Sequence, residues 1–225
     1  MATYVTGDIH GDISRIIGFR QKMKLNKNDN IIICGDAGIC WRKDKRDLEY
    51  IKSLWNEYGN GTKLYFLDGN HENFAILNSL PIENNMGKVS DNIFHLLRGQ
   101  TYNFENKKVL VCGGADSIDW YLRTKNFTWW EEESISEEDI AGISASHYDY
   151  VLTHCCPRSV FENNRVYLIT LREIRQDKIN HNSEDKLEEI KSKITFDNWL
   201  FGHYHVDMSF ENGFRCLFND FVELK

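Results

Sequence analysis

The sequence has fewer basic than acidic residues. It contains 27 lysines and arginines against 34 aspartates and glutamates, which gives a formal net charge of −7 and a pI of about 5.6. An acidic surface repels phosphate backbones, so we expect no non-specific nucleic-acid binding. An anionic substrate would have to be held by a local positive site.

Long apolar runs and targeting segments are also lacking. No stretch approaches the roughly 18 apolar residues of a membrane span, and residues 1–5 lack the basic and apolar regions of a secretory signal. We therefore expect a cytoplasmic protein without membrane contact. The cysteines form no Cys-x-x-Cys pair, which predicts reduced thiols buried in the core rather than a disulfide framework. The six are Cys34, Cys40, Cys112, Cys155, Cys156 and Cys216.

Strand-like and helix-like segments alternate at the start of the chain. Strands are predicted at 3–6, 30–34 and 62–67, with amphipathic helices at 13–24 and 47–58 between them. This alternation predicts a parallel sheet with right-handed crossovers. At 225 residues, 41% of them apolar, the chain is long enough to bury a sizeable core.

The rest of the chain is predicted to complete a single domain over residues 1–225. Its predicted strands are 93–97, 101–104, 108–113, 148–153 and one ending at Phe201, followed by closing hairpins at 206–211 and 213–224. Two insertions without a recognised motif are predicted, at about 115–147 and at about 158–196, the second with a charged helix at 184–193. The first carries Trp129 and Trp130, which we expect to be exposed, as a dimer contact or as a lid. A helix is predicted to begin at Ser136.

Polar residues follow five predicted strands, at the end of each. Open α/β sheets place their ligands beyond the carboxyl ends of their strands, so these residues are predicted to gather at one spot. They are Asp8 and His10, Asp36, Asn70 and His71, His154, and His203 and His205.

Most of these residues predict a pair of metal ions. Asp8 and His10 are two residues apart, so in an extended segment both side chains point the same way. Mixed carboxylate, imidazole and amide ligation suits Mn²⁺, Fe²⁺/Fe³⁺ or Zn²⁺, and we favour Mn²⁺. Two ions about 4 Å apart clamp an in-line displacement at phosphorus, with a bridging hydroxide as nucleophile. The predicted ligands are Asp8, His10 and His205 for one ion, Asn70, His154 and His203 for the other, and Asp36 between them.

The remaining histidines divide into one catalytic candidate and three structural ones. His71 follows Asn70 directly, and we assign it as a general acid for the leaving group, which contributes on the order of 10² to 10⁴ in rate. The alternative for His71 is a loop histidine bonded to the backbone. We interpret His95, His147 and His181 as structural.

In these motifs the chain resembles the calcineurin-like metallophosphoesterase superfamily. That pattern, GDxH, GDx, GNHE, a later histidine and GHxH, stands here as GDIHG, GDAG, GNHE, THCCP and GHYH over residues 7–205. The resemblance implies an α/β fold, a four-layer αββα sandwich of two mixed sheets. It also implies a dinuclear metal site at the strand ends and hydrolysis of a phosphomonoester or phosphodiester.

One departure from the superfamily narrows the function. Its protein phosphatases carry GDxxDRG, whereas this chain has Ile39 and Cys40 in place of the second aspartate and the arginine. A protein phosphatase is therefore disfavoured. Another arginine could supply the missing phosphate contact, and the sequence leaves open which one. The candidates are Arg98, Arg123, Arg158, Arg172 and Arg175. Supporting or turn roles are open for Asp12, Glu72 and Asn73.

The leading hypothesis is a metal-dependent hydrolase of a small-molecule or nucleotide phosphoester. A diester is slightly favoured, because it leaves less charge for an arginine to neutralise. A nuclease is disfavoured, since the only basic run is the short stretch 42–46. A non-catalytic scaffold on the same fold would be expected to have lost ligands, and this chain keeps them all.

Overall fold

The computed structural model describes residues 1–168 and 180–225. Its first sheet contains seven strands in the order β13-β1-β2-β3-β6-β5-β4. Strands β1, β2, β3 and β6 are parallel, whereas β13, β5 and β4 run antiparallel to their neighbours. The strands are β1 (Thr3–Thr6), β2 (Asn30–Cys34), β3 (Lys63–Leu67), β4 (Ile82–Glu83), β5 (Met86–Lys88), β6 (Ile93–Leu96) and β13 (Phe221–Glu223).

The second sheet contains six strands in the order β11-β12-β10-β9-β8-β7. Strands β8, β9, β10 and β12 are parallel, and the two edge strands are antiparallel. The strands are β7 (Gln100–Phe104), β8 (Lys107–Cys112), β9 (His147–Thr153), β10 (Thr195–Phe201), β11 (Met208–Ser209) and β12 (Phe214–Cys216). Both sheets are therefore mixed, as predicted.

Helices cover the outer face of each sheet. Helices α1, α2 and α3 bury apolar residues against the first sheet, and α4, α5 and α6 do so against the second. They are α1 (Ile13–Met23), α2 (Arg46–Tyr58), α3 (Phe74–Leu77), α4 (Glu137–Ala141), α5 (Arg158–Leu168) and α6 (Asn182–Lys193). Short 3₁₀ helices lie at Trp120–Leu122, Glu131–Glu133 and Glu211–Gly213.

The apolar run in β2 shows how the layers form. Ile31 and Ile33 pack among the outer helices, whereas Ile32 belongs to the core between the two sheets. Successive strand residues point to opposite faces, so a strand buried on both faces must be apolar throughout. The predicted four-layer αββα sandwich is confirmed.

Two predictions outside the sheet cores were wrong. Residues 213–224 do not form a hairpin: β12 lies in the second sheet, whereas β13 pairs with β1 in the first. Trp130 is 3% exposed and belongs to the core outside the first sheet, with its ring 6.0 Å from that of Trp41, rather than lying on the surface. The capping box at Ser136 and six free, buried cysteines are as predicted.

No helix in the described part of the chain is long and apolar enough to cross a membrane. The cytoplasmic location stays a prediction.

Candidate metal centre

The parallel strands of the two sheets end at one edge of the sandwich, and the loops that follow them carry the predicted site residues. Loops after β1, β2 and β3 supply the first sheet's side chains, and loops after β9 and β10 supply the second sheet's. The structure brings together all seven predicted metal ligands, which we call the site cluster: Asp8, His10, Asp36, Asn70, His154, His203 and His205.

One half of the site cluster opens to solvent. Asp8 is fully buried, whereas the side chains of His10 and His205 are about 38% and 44% exposed. Nε2 of His205 lies 3.1 Å from Oδ2 of Asp8 and 2.9 Å from Nε2 of His10. The ligand atoms of these three residues lie within 4.8 Å of one another, close enough to share one ion.

The other half lies deeper. Nε2 of His154, which is fully buried, is 3.3 Å from Oδ1 of Asn70 and 3.3 Å from Nδ1 of His203. Nδ1 of His154 lies 2.8 Å from the carbonyl oxygen of Cys34. A proton on Nδ1 satisfies that carbonyl, so once Nε2 has lost its own proton its lone pair is directed into the cluster.

Asp36 lies between the two halves. Its Oδ2 is 3.9 Å from Nε2 of His10, and its Oδ1 is 3.4 Å from Nε2 of His154. Oδ1 also accepts a hydrogen bond from the backbone N–H of His71 at 2.8 Å. One carboxylate oxygen therefore faces each half, which is the arrangement that a bridging ligand requires.

Four cluster residues have an unusual backbone conformation. The φ angles of His10, Asp36, His203 and His205 are 45°, 47°, 68° and 55°. Residues other than glycine rarely adopt positive φ, and such strain concentrates at functional sites. His10 is therefore not in the extended segment that was predicted, although its Nε2 does lie 3.8 Å from Oδ2 of Asp8. A turn brings the two together instead, in which the N–H of His10 donates to the carbonyl of Asp36 at 2.8 Å.

Two motif glycines allow the close approach of the ligands. A Cβ at Gly69 would lie 2.2 Å from Oδ1 of Asp36, and a Cβ at Gly202 would lie 2.3 Å from Oδ1 of Asp8. Both distances are far below any tolerated contact. The glycines of these motifs are therefore required by the packing of the ligands themselves.

The cluster's charges are strongly coupled. Burial alone would lower the pKa of His154, but the Asp36 and Asp8 carboxylates raise it to about 10. Burial opposes ionisation of Asp36 as well, yet the charge of His154 holds the pKa of that carboxyl well below its usual range. Burial and the charge of His154 lower the pKa of His203 to about 3. The cluster thus combines buried carboxylates with imidazoles, a donor set that fits divalent transition-metal ions.

His71 lies at the rim of the cluster. Its side chain is in contact with Arg123, with 3.3 Å between Nε2 of His71 and a terminal guanidinium nitrogen. The pKa of His71 lies below its ordinary value, because burial and the nearby Arg123 charge lower it more than the Asp36 carboxylate raises it. The ring of Trp41 lies 5.5 Å from the His71 ring.

Among the arginines left open by the sequence, Arg123 is the one described beside His71. Its Nε–H is held by Asp119 at 2.7 Å. Arg98 is instead buried against Asp68, and Arg158 pairs with acidic residues of α6. Arg172 and Arg175 lie outside the described residues. No local motif marks Arg123, and only the fold brings it to the site.

The residues predicted to be structural do lie outside the cluster. His95 is buried against Asp68 at 3.1 Å, His147 is exposed beside Thr195, and His181 pairs with Glu184. Asn73 caps α3, Glu72 accepts from the N–H of Ala37 at 3.0 Å, and Asp12 accepts from the hydroxyl of Ser14. Sequence reasoning missed Ser117 and Glu133. Ser117 contacts Asn70 directly, and Glu133 reaches Asn70 through Ser117.

A pocket of about 300 Å³ opens beside the cluster. Besides His10 and His71, its lining consists of Gly11, Gly38, Trp41, Arg42, Asp47, Tyr50 and Ile51. Aromatic and aliphatic side chains next to the cluster suit an organic group attached to a phosphate.

The family model for calcineurin-like phosphoesterases matches residues 1–207, and the chain belongs to that family. Membership indicates phosphoester hydrolysis that depends on divalent metal ions, generally two. A comparison with curated proteins found no significant match.

Proposed function

We propose that this protein is an enzyme that hydrolyses a small-molecule or nucleotide phosphoester with two bound divalent metal ions, Mn²⁺ being favoured. The observation that carries the proposal is the position of Asp36, whose two carboxylate oxygens each face one half of the site cluster at 3.9 and 3.4 Å. A residue placed in this way can join two ions. Family membership supports the same chemistry.

In this proposal each half of the cluster holds one ion. Asp8, His10 and His205 would hold the ion nearer to solvent, Asn70, His154 and His203 would hold the deeper one, and Asp36 would contribute to both. When bound, the two ions supply a hydroxide nucleophile at neutral pH and offset the negative charge of the phosphoryl group.

We assign His71 as the general acid and Arg123 as the phosphate-binding arginine. The Arg123 guanidinium comes from the first insertion (residues 115–147) and stands in for the arginine absent from the second motif. In the free protein it donates to Nε2 of His71. A phosphoryl oxygen beside both groups would accept that hydrogen bond instead. The released Nε2 of His71 would then take up a proton from solvent and pass it to the leaving oxygen.

The pocket beside His71 supports a small organic substrate. A leaving group must lie next to its acid, and the pocket lined by Trp41 and Tyr50 begins at His71. We therefore place the leaving group there. A diester stays slightly favoured, since a single guanidinium, that of Arg123, lies beside His71 in the part of the chain that the structure describes.

The other functions are less well supported. A nuclease would need a basic track, and the run at 42–46 includes Arg42 and Arg46, which pair with Asp44 on the surface. A non-catalytic scaffold would be expected to have lost ligands or the acid, and this chain keeps them all.

The test is hydrolysis of p-nitrophenyl phosphate and bis-p-nitrophenyl phosphate by metal-stripped protein reloaded with Mn²⁺, together with elemental analysis. We expect activity that returns with metal at about two ions per chain, and faster turnover of the diester. Faster turnover of the monoester would reverse the ester preference and leave the hydrolase intact. Two bound ions without turnover of either ester would favour the scaffold. A chain that binds no metal would contradict the proposal.

A further inference from the structure

The amide of Asn70 is held by a side-chain network from the first insertion. Nδ2 of Asn70 donates to Oγ of Ser117 at 3.1 Å, while Oδ1 faces Nε2 of His154. The Ser117 hydroxyl donates to Oε2 of Glu133 at 3.0 Å. Oε1 of Glu133 accepts from the N–H of Ser117 at 2.7 Å and from the indole N–H of Trp129 at 2.8 Å. Asn70, Ser117 and Glu133 are all less than 5% exposed.

The direction of these hydrogen bonds selects one orientation of the amide. An amide has two donors at one end and an acceptor at the other, so a half turn exchanges them. Because the Ser117 hydroxyl donates to the Glu133 carboxylate, it offers Asn70 an acceptor. Nδ2 therefore faces Ser117, and the acceptor Oδ1 faces the cluster. In the opposite orientation Asn70 would present an N–H₂ group, which cannot ligate a metal.

The other ligands of the same half are oriented differently. His154 is held by the carbonyl of Cys34 at the end of β2, and the backbone of His203 by Asp8. Both partners lie at the strand ends of the first sheet, Cys34 in β2 and Asp8 just after β1. Asn70 instead takes its orientation from residues of an insertion that carries no ligand.

We propose that Ser117 and Glu133 are positioning residues for the deeper metal ion, acting through Asn70. This inference rests on the proposed function, because it takes Asn70 as a ligand. It makes the first insertion part of the metal centre as well as the source of Arg123.

The experiment is a calorimetric titration of the metal-stripped full-length protein with Mn²⁺. It is run well above pH 7, because burial raises the pKa of Glu133 to about 7 and Ser117 donates to the ionised carboxylate. Partners that orient a metal ligand typically contribute roughly 10- to 100-fold in affinity, so Ser117→Ala is expected to weaken one of the two binding events by that factor and leave the other unchanged. Ser117→Thr keeps a hydroxyl and should restore most of the affinity. Glu133→Gln can donate to Ser117 and thereby permit the wrong amide orientation, so it should weaken the same event.

Two controls separate positioning from a general structural effect. Ser134→Ala removes a hydroxyl that donates to Asp116 in the same insertion, and both ions should bind as in the unmodified protein. In a double-mutant cycle, Ser117→Ala should add nothing to the loss caused by Asn70→Ala.

Equal weakening of both ions, or no weakening of either, would overturn the positioning role. Should Ser117→Ala fail to fold, Glu133→Gln and Ser117→Thr carry the same comparison. Failure of the proposed function would look different, since the unmodified protein would then bind no Mn²⁺.

Discussion

The loops after the strands and the first insertion reach the same site by different means. The loops place Asp8, Asp36 and their neighbours through backbone geometry. Several of these residues have positive φ angles, and the glycines beside them leave no room for a Cβ. The insertion reaches the site through the side chains of Arg123 and Ser117. Backbone geometry leaves a short, local sequence motif, whereas a side chain delivered by tertiary packing leaves none.

A buried arginine ties the two regions together. Nε and a terminal nitrogen of Arg98 both donate to Oδ2 of Asp68, one residue before Gly69, at 2.8 and 2.6 Å. It also donates to backbone carbonyls of Glu132 and Glu133. The insertion and the loop that carries Asn70 are therefore fastened to one guanidinium.

The largest effect is expected from a substitution of Asp36, the loop residue at the centre of the site cluster. Asp36→Asn removes the negative charge that faces both halves of the cluster, so we expect bound metal to fall from about two ions per chain to less than one and hydrolysis to fall to background. Elemental analysis and a p-nitrophenyl ester assay measure both. Asp91→Asn, at a fully exposed aspartate, should change neither, and an Asp36→Asn protein that keeps both ions would disprove the bridging role.

The next largest effect is expected at His71, where a substitution distinguishes a general acid from a metal ligand. His71→Ala should keep both metals and lose on the order of 10²- to 10⁴-fold in turnover of esters with poor leaving groups, because the leaving oxygen is no longer protonated. Metal content and turnover are measured side by side. His147→Ala, at an exposed histidine away from the cluster, is the control. Loss of metal from His71→Ala would mean that His71 is a ligand.

Cutting the fastening between the two regions should cost stability. Arg98→Met leaves Asp68 as a buried charge without its main partner, and we expect a loss of about 3 to 5 kcal/mol in the free energy of unfolding. Urea unfolding monitored by circular dichroism gives the value. Arg46→Met, at an exposed pair with Asp44, should leave stability unchanged. Equal effects of the two substitutions would show that Arg98 does not fasten the insertion.

A pH dependence tests the buried carboxyl of the insertion. Burial raises the pKa of Glu133 to about 7 from an ordinary value of 4.5. The folded state then holds the proton more tightly than the unfolded state, so stability falls as pH rises from about 4.5 to about 7, by about 3 kcal/mol in total. Glu133→Gln should abolish this part of the dependence, which urea unfolding of the metal-stripped protein measures. Parallel curves for both proteins would contradict the shift.

The smallest effect is expected at Arg123, where a substitution tests whether the insertion binds the phosphoryl group. Arg123→Lys keeps the charge but loses the forked donor geometry. We expect kcat/KM for a phosphomonoester to fall roughly ten-fold, the value of one charged hydrogen bond, and less for a diester. Arg158→Lys, at the α6 surface pair, should leave kcat/KM unchanged. An identical loss for both esters would argue against contact with the phosphoryl charge.

Much of the fold and of the candidate site could be predicted from the sequence. The isoleucines of β2 predict a strand buried on both faces, and the structure confirms the sandwich around it. The polar residues after five such strands predicted the cluster, because parallel strands end at one edge. These features depend on local spacing alone, so they can be read from the chain.

Tertiary structure decided the rest. Residues 213–224 split between two sheets because β13 finds the free edge of β1, a choice that no local pattern encodes. Trp130 is buried because the insertion packs it into the core outside the first sheet, where its ring lies 6.0 Å from that of Trp41. Arg123 lies 52 residues from His71 in sequence, and Ser117 lies 47 residues from Asn70. Pairings at such separations arise from packing over the whole chain. Local motifs therefore predict the candidate ligands, whereas only the folded chain shows which side chains lie against them.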